Sequence, residues 1–350
     1  MPRVKIEAPA KLNLHLQIGD RRPDGYHEIE SLFLALAFGD TLSFETVHEP
    51  QVVEICMDWQ PLCDAPAGFP AIPPEKNIIW RAVSLFRNRT GYEKGLKISV
   101  EKRIPPGGGL GGGSSDAAAA LLALNRLAAS DGKGLVSDAA LAEMGASLGS
   151  DVPFFLCNAA GGAAWVSGRG EKVQPFDMPE PARGFSVVLV NPGFSSDTTE
   201  AYRLFSVWRS KNALISPQYS SFLLKFLSGP PQNWPFFNDF LTVFNTAAGE
   251  SASMSEIYAT YQHIISGLRE QGADFAGLSG SGSTCFGVFS GREKAESARK
   301  NLLLHWPLVI CTFLLAHPAT PWYNGDIEEG ADKNKESTSW RSPTLESVKW

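Results

Sequence analysis

No two cysteines in this chain stand in a C-x-x-C pair, and the five present, Cys56, Cys63, Cys157, Cys285 and Cys311, are odd in number. A zinc ribbon and a disulfide framework are therefore not indicated, and the chain reads as one suited to a reducing cytoplasm. A surplus of basic charge is also missing: 31 Lys and Arg stand against 37 Asp and Glu, a formal net charge of −6. That argues against a nucleic-acid binder working through a broad basic face, so any anionic ligand must be held locally. No apolar run reaches the ~20 residues of a spanning helix. The longest, 302–316, is interrupted by His305 and Pro307 and reads as a buried strand with its approach. The opening residues, 1–7, lack the apolar centre of a signal peptide. The expectation is a cytoplasmic protein with neither membrane nor nucleic-acid partners.

What is present in excess is glycine, 33 residues in 350, with six of them falling between positions 107 and 113. At roughly 150 residues per domain the length allows two domains, each with its own core. Near the start, Leu12, Leu14, Leu16 and Ile18 alternate with Lys11, Asn13, His15 and Gln17, the period of a half-buried strand with one polar face. Turn chemistry follows at 21–25, then an apolar segment at 29–38 ending at Gly39 and Asp40. Strands are expected at 41–44, 51–57, 97–104, 187–190 and 286–289, and helices at 77–87, 253–271 and 293–304. The proline-rich stretch 61–74 reads as a surface loop. Ser114, Ser115 and Asp116 offer caps to an Ala/Leu-rich helix running to about 127, Ser137 to a helix at 138–148, and Asp151 to a short third helix. From about 175 the composition suggests more strands. Strands and helices mix without a regular βαβ repeat, so an α+β fold is expected, divided into 1–174, 175–317 and a polar, disordered tail at 318–350.

The segment Pro105, Pro106, Gly107, Gly108, Gly109, Leu110, Gly111, Gly112, Gly113, Ser114, Ser115 lies between an expected strand and an expected helix. Glycines let backbone N–H groups converge on phosphate oxygens, and a helix N-terminus adds a positive dipole end. A flexible linker is the competing reading, but linkers are flanked by polar residues, and this one is flanked by regular elements. No Lys follows the last glycine, so the loop is not a Walker A motif. A G-x-G-x-x-G match with Asp131 downstream carries little, because a glycine run produces that pattern by default and Asp131 sits in a loop sequence.

Lys11 on a polar strand face would ordinarily be solvated, and Asp151 would ordinarily be a helix cap. If the two meet, the carboxylate can orient or deprotonate a substrate hydroxyl while the ammonium offsets charge on a transferring phosphoryl group. Tyr26 and Tyr202 would by default be packing residues. Alternatively, the two rings sandwich a planar base whose edge His27 meets by a hydrogen bond.

Three stretches carry a resemblance: 9–16, the loop 105–115, and the second glycine cluster 277–282. They resemble the three motifs of the GHMP kinases. Further marks are residues 22–27 (Arg-Pro-Asp-Gly-Tyr-His), Gly39-Asp40-Thr41 and residues 148–153. These are most similar to the branch acting on 4-diphosphocytidyl-2-C-methyl-D-erythritol in non-mevalonate isoprenoid synthesis. The resemblance implies two α+β domains, the first ribosomal-protein-S5-like, with substrates between them. It also implies ATP-dependent phosphorylation of the 2-hydroxyl of that small molecule, with Mg²⁺. By position it implies Lys11 and Asp151 as catalytic residues and 105–115 as the ATP-binding stretch. Asn13, Tyr26, His27, Thr198 and Tyr202 are implied on the acceptor side. The alternatives are a mevalonate or homoserine kinase of the same family, or a nonenzymatic nucleotide-binding module. The span 191–245 matches the family pattern least, and a polar extension follows residue 318.

Overall fold

Two long strands dominate the first half. β1 (Arg3–Arg21) and β2 (His27–Val47) form an antiparallel hairpin closed by a turn in which Gly25 takes φ 88°. The computed structural model describes residues 2–59, 76–157, 162–212, 223–315 and 327–328. β3 (Val53–Trp59) lies parallel to β4 (Gly95–Lys102), which pairs antiparallel with one end of β2. The other end of β2 pairs with β5 (Ala163–Gly168), and β5 with β6 (Lys172–Pro175). Against this sheet pack α1 (Ile78–Thr90), α2 (Gly112–Ser130), α3 (Asp138–Leu148) and α4 (Val152–Cys157).

After the short α5 (Glu180–Arg183), a second, antiparallel sheet has the order β10 (Leu308–Phe313), β7 (Ser186–Asn191), β9 (Cys285–Phe289), β8 (Phe275–Leu278). Its helices are α6 (Thr198–Lys211), α7 (Asp239–Ala248), α8 (Ala252–Glu270) and α9 (Arg292–Leu302). None of the helices among the described residues is long and apolar enough to cross a membrane.

Several expectations are corrected. The polar face of β1 is not solvated: Asn13 and His15 are as buried as Leu12 and Leu14, because residues of the second half lie over it. The segments 29–38 and 41–44 are one strand. Gly39 does not end it but lets it cross β1, since a Cβ there would stand 2.4 Å from the Ala8 carbonyl oxygen. The second half is not strand-rich. Among the described residues the short α5 and the longer α6 to α9 stand beside four strands, and α6 and α7 occupy parts of the span that the residue pattern leaves unassigned. The loop expected at 61–74 lies outside the described residues, as does the tail expected at 318–350, apart from Ile327–Glu328, which pairs antiparallel with β1 as β11.

Candidate active site

Strand β1 loses register with β2 between Pro9 and Lys11 and again between Asn13 and His15. Such irregularities bend a strand and re-aim its side chains. Between them, Lys11 is buried, with 4% of its surface exposed. A buried ammonium must find partners. Nζ donates to Asn13 Oδ1 at 2.5 Å, lies 3.4 Å from Asp151 Oδ2, and sits 4.7 Å from the centre of the Phe33 ring. Asn13 is itself fixed, its Nδ2 donating to Ser31 Oγ at 3.0 Å and its backbone N–H to Ser279 Oγ at 3.2 Å. Asp151 follows the end of α3 and precedes α4, and it keeps 29% of its side chain exposed against 5% for Lys11. Lys11 and Asp151 do meet: a sealed cation stands behind a carboxylate that solvent can reach.

The glycine loop connects β4 to α2. Its carbonyl groups are turned into the protein one after another. Gly107 O accepts from Ser196 N at 2.9 Å, Gly108 O from Thr284 N at 3.1 Å, Gly109 O from Ser279 Oγ at 2.9 Å, and Leu110 O from Lys11 N at 2.9 Å. The N–H of each of these peptides, carried by the next residue, then points the opposite way, and the N–H groups of residues 107–111 find no acceptor among the described residues. Close approach demands glycine here. At Gly109, with φ 74°, a Cβ would stand 2.1 Å from Ser279 O; at Gly111, with φ 71°, it would stand 2.9 Å from Lys11 Cγ.

Helix α2 begins at Gly112 with Gly111 as its cap, so Ser114, Ser115 and Asp116 lie inside the first turns and do not cap it. With no side-chain cap, the first-turn N–H groups remain available to an anion. Ser115 Oγ is buried without a hydrogen-bond partner at the same place. Asp131, the acid of the discounted dinucleotide reading, terminates α2 and accepts from Tyr92 Oη at 3.1 Å.

Behind the loop, Lys102 Nζ donates to Asp40 and, at 2.6 Å, to Asp116, while Asp40 Oδ1 also accepts from the backbone of Arg103 at 2.5 Å and Ile104 at 2.9 Å. Burial opposes the charge on Lys102, but Asp116 and Asp40 outweigh it and hold its pKa above the ordinary value. Burial pushes Asp116 upward, against the pull of Lys102. Asp116 Oδ1 has no hydrogen-bond partner. The residue pattern alone does not single out this cluster, although Gly39-Asp40-Thr41 is among the marks of the resemblance. Nor does it assign Ser279 and Thr284 their bracing roles. The signal available is the second glycine cluster and the residues just after it, which supply the Ser279 hydroxyl and the Thr284 amide.

On the far side of the site, Tyr26 is half exposed. His27 Nδ1 donates to Gly19 O at 3.1 Å, and its Nε2 lies 3.0 Å from the Ser206 hydroxyl. Tyr202, from the first turns of α6, stacks on His27 with ring centres 5.6 Å apart and planes 18° apart, and meets Phe240 edge-on. Tyr202 therefore stacks on His27, and Tyr26 stands exposed. Burial, then Asp151, pushes the Tyr202 phenol upward, so it stays neutral. Thr198 Oγ1 lies 3.0 Å from Ser281 Oγ, which ties α6 to the second glycine cluster. A cavity of about 570 Å³ opens beside His27, lined by Arg21, Ser206, Arg209 and Lys211.

Residues 77–159 match the GHMP kinases N terminal domain and residues 245–308 the GHMP kinases C terminal domain. The 4-diphosphocytidyl-2-C-methyl-D-erythritol kinase of Treponema pallidum subsp. pallidum is 34% identical over 312 residues, spanning 87% of this chain and 97% of that protein. A crystal structure of 4-(cytidine 5'-diphospho)-2C-methyl-D-erythritol kinase superposes with a TM-score of 0.66 at 30% identity, over 89% of this chain and 98% of that one. Homoserine kinase from Cytophaga hutchinsonii shares the fold, with a TM-score of 0.59 at 15% identity over 90% and 96%.

Proposed function

The chain belongs to the GHMP kinases, and within them to the 4-diphosphocytidyl-2-C-methyl-D-erythritol kinases, and on that footing we propose that Lys11 and Asp151 transfer the γ-phosphoryl group of ATP to the substrate's 2-hydroxyl. The protein is an ATP-dependent kinase of two-domain α+β fold. The observation carrying the residue assignment is the 3.4 Å approach of Lys11 Nζ to Asp151 Oδ2 beside a glycine loop with unengaged amides.

Asp151 orients the acceptor hydroxyl and takes its proton as the oxygen bonds to the γ-phosphorus and the bond to the β,γ-bridging oxygen breaks, with ADP leaving. Lys11 offsets negative charge on the phosphoryl oxygens in flight, and Asn13 holds Lys11 in place. The loop amides of 107–111 and the uncapped first turn of α2 bind the phosphates. The donor is the MgATP complex. The buried Ser115 Oγ, which has no hydrogen-bond partner, would hold the magnesium, whose charge would offset that of the phosphates. Tyr26 supplies a stacking surface for the cytosine, His27 and Tyr202 form the wall beside it, and Thr198 stands toward the erythritol and its phosphates.

The test is turnover with MgATP and three acceptors in parallel. The cytidyl substrate should be phosphorylated, and mevalonate and homoserine should not; turnover of either without the cytidyl substrate would overturn the assignment. Asp151→Asn should lose about 10²- to 10⁴-fold in kcat while its ATP dissociation constant stays within twofold. A fully active variant would remove Asp151 from the base role.

A further inference from the structure

The turn between β5 and β6, residues 168–171, takes no part in the transfer described above, yet it touches two segments that do. Register places Gly168 opposite Ile29, two residues beyond His27. From this turn the guanidinium of Arg169 lies over the ring of Tyr26, its central carbon 4.9 Å from the ring centre. The guanidinium is anchored: Nη2 donates to Ala146 O at 3.0 Å, near the end of α3. The turn itself is fixed by the bond from Arg169 N to Glu171 Oε2 at 2.7 Å. It also sits tightly against the residue before Asp151, since Gly170 has φ 121° and a Cβ there would stand 3.0 Å from both Cβ and O of Ser150. Tyr26 nevertheless remains half exposed.

We propose that Arg169 is a positioning residue that determines specificity for the pyrimidine end of the acceptor. It covers one face of Tyr26 and holds the ring still, leaving the other face as the platform on which the base stacks. This rests on the reading of Tyr26 as that platform. An exposed tyrosine free to rotate must be ordered when a base binds, and that ordering weakens binding. A cation within about 6 Å of a ring centre, itself hydrogen-bonded to a backbone carbonyl, removes that cost before the substrate arrives.

The experiment measures KM for 4-diphosphocytidyl-2-C-methyl-D-erythritol and for ATP in the full-length enzyme and in Arg169→Ala, Tyr26→Ala and the double variant, with melting temperatures alongside. Arg169→Ala should raise KM for the cytidyl substrate about tenfold and leave KM for ATP within twofold. In the Tyr26→Ala background it should add less than twofold, because the two residues act as one unit. Should Arg169→Ala not fold, Arg169→Gln, which keeps the stem and a donor but loses the charge, should show the same rise. The assignment is overturned if Tyr26→Ala raises KM and Arg169→Ala does not, if the rise persists in full without Tyr26, or if both KM values rise together. An unchanged KM in Tyr26→Ala would overturn the stacking platform itself, and Arg169's role with it.

Discussion

Burying Lys11 strips its ammonium of water, and Asn13, Asp151 and the Phe33 ring compensate. The residue types were legible in the sequence; their convergence was not, because what covers Lys11 and Asn13 includes Ser279, which lies 266 positions from Asn13. His15, on the same face, shows the cost of such covering. Its Nε2 is buried without a partner, and burial lowers its pKa from 6.5 to about 4. Between those values the unfolded chain binds a proton that the folded chain refuses, so this residue's contribution to stability falls as pH drops from 6.5 toward 4. Asp239 works in the opposite sense, since burial raises its carboxyl from 3.8 to about 6 and the folded chain holds the extra proton in that window. Comparison with His15→Asn separates the two. The stability advantage of the unsubstituted protein over the variant should shrink by roughly 2–3 kcal/mol on going from pH 7 to pH 4, read from urea midpoints. A constant difference would show that His15 does not carry this penalty.

Elements meet at the glycine loop, and most of their identities follow from local pattern. The strand into the loop, the Ala/Leu-rich helix out of it and the Ser137 cap of α3, whose Oγ accepts from Ala140 N at 3.3 Å, are written in neighbouring residues. What the pattern misplaces is the start of α2, because a single glycine in left-handed conformation, Gly111, can cap a helix with no side chain at all. The Asp40–Lys102–Asp116 cluster joins β2, the end of β4 and the first turns of α2, so it pins both ends of the loop. Lys102→Met would leave two buried carboxylates facing each other and should destabilise the protein by about 3–5 kcal/mol, measured by denaturant unfolding. A loss below about 1 kcal/mol would mean that the carboxylates simply protonate. Gly109→Ala should lower the melting temperature without any nucleotide present, because the methyl group meets the protein's own Ser279 carbonyl. If melting is unchanged and only ATP binding suffers, the loop is shaped by its ligand.

Across the whole molecule the two sheets share their interior. The larger apolar cluster runs from Val4 and Phe44 through Ala118 and Phe154 to Val188, Phe205, Tyr261 and Val309, and a second joins Leu12 and Leu34 to Leu189 and Phe286. Leu16 N donates to Phe237 O at 2.8 Å, and Leu36 bridges to Leu314, so each end of the chain is stitched to the other half. Composition points to two halves but cannot reveal a joint core, since hydrophobic residues carry no label of the partner they will meet. Thermal unfolding should accordingly give one transition with the same midpoint by tryptophan fluorescence and by far-ultraviolet dichroism; two separated midpoints would contradict the shared interior. The net charge of −6 supplies no general attraction for two anionic substrates, which leaves the local amides, the end of α2 and Lys11 to hold them. The braced loop also bears on how such a chain can change over generations. Gly107 and Gly108 are hemmed in by Ser195 and Thr284, and Gly109 by Ser279, so the freedom to vary at each position belongs jointly to two distant stretches. A drift at 279–284 redraws what is permitted at 108 and 109, and those two stretches are held to a common history.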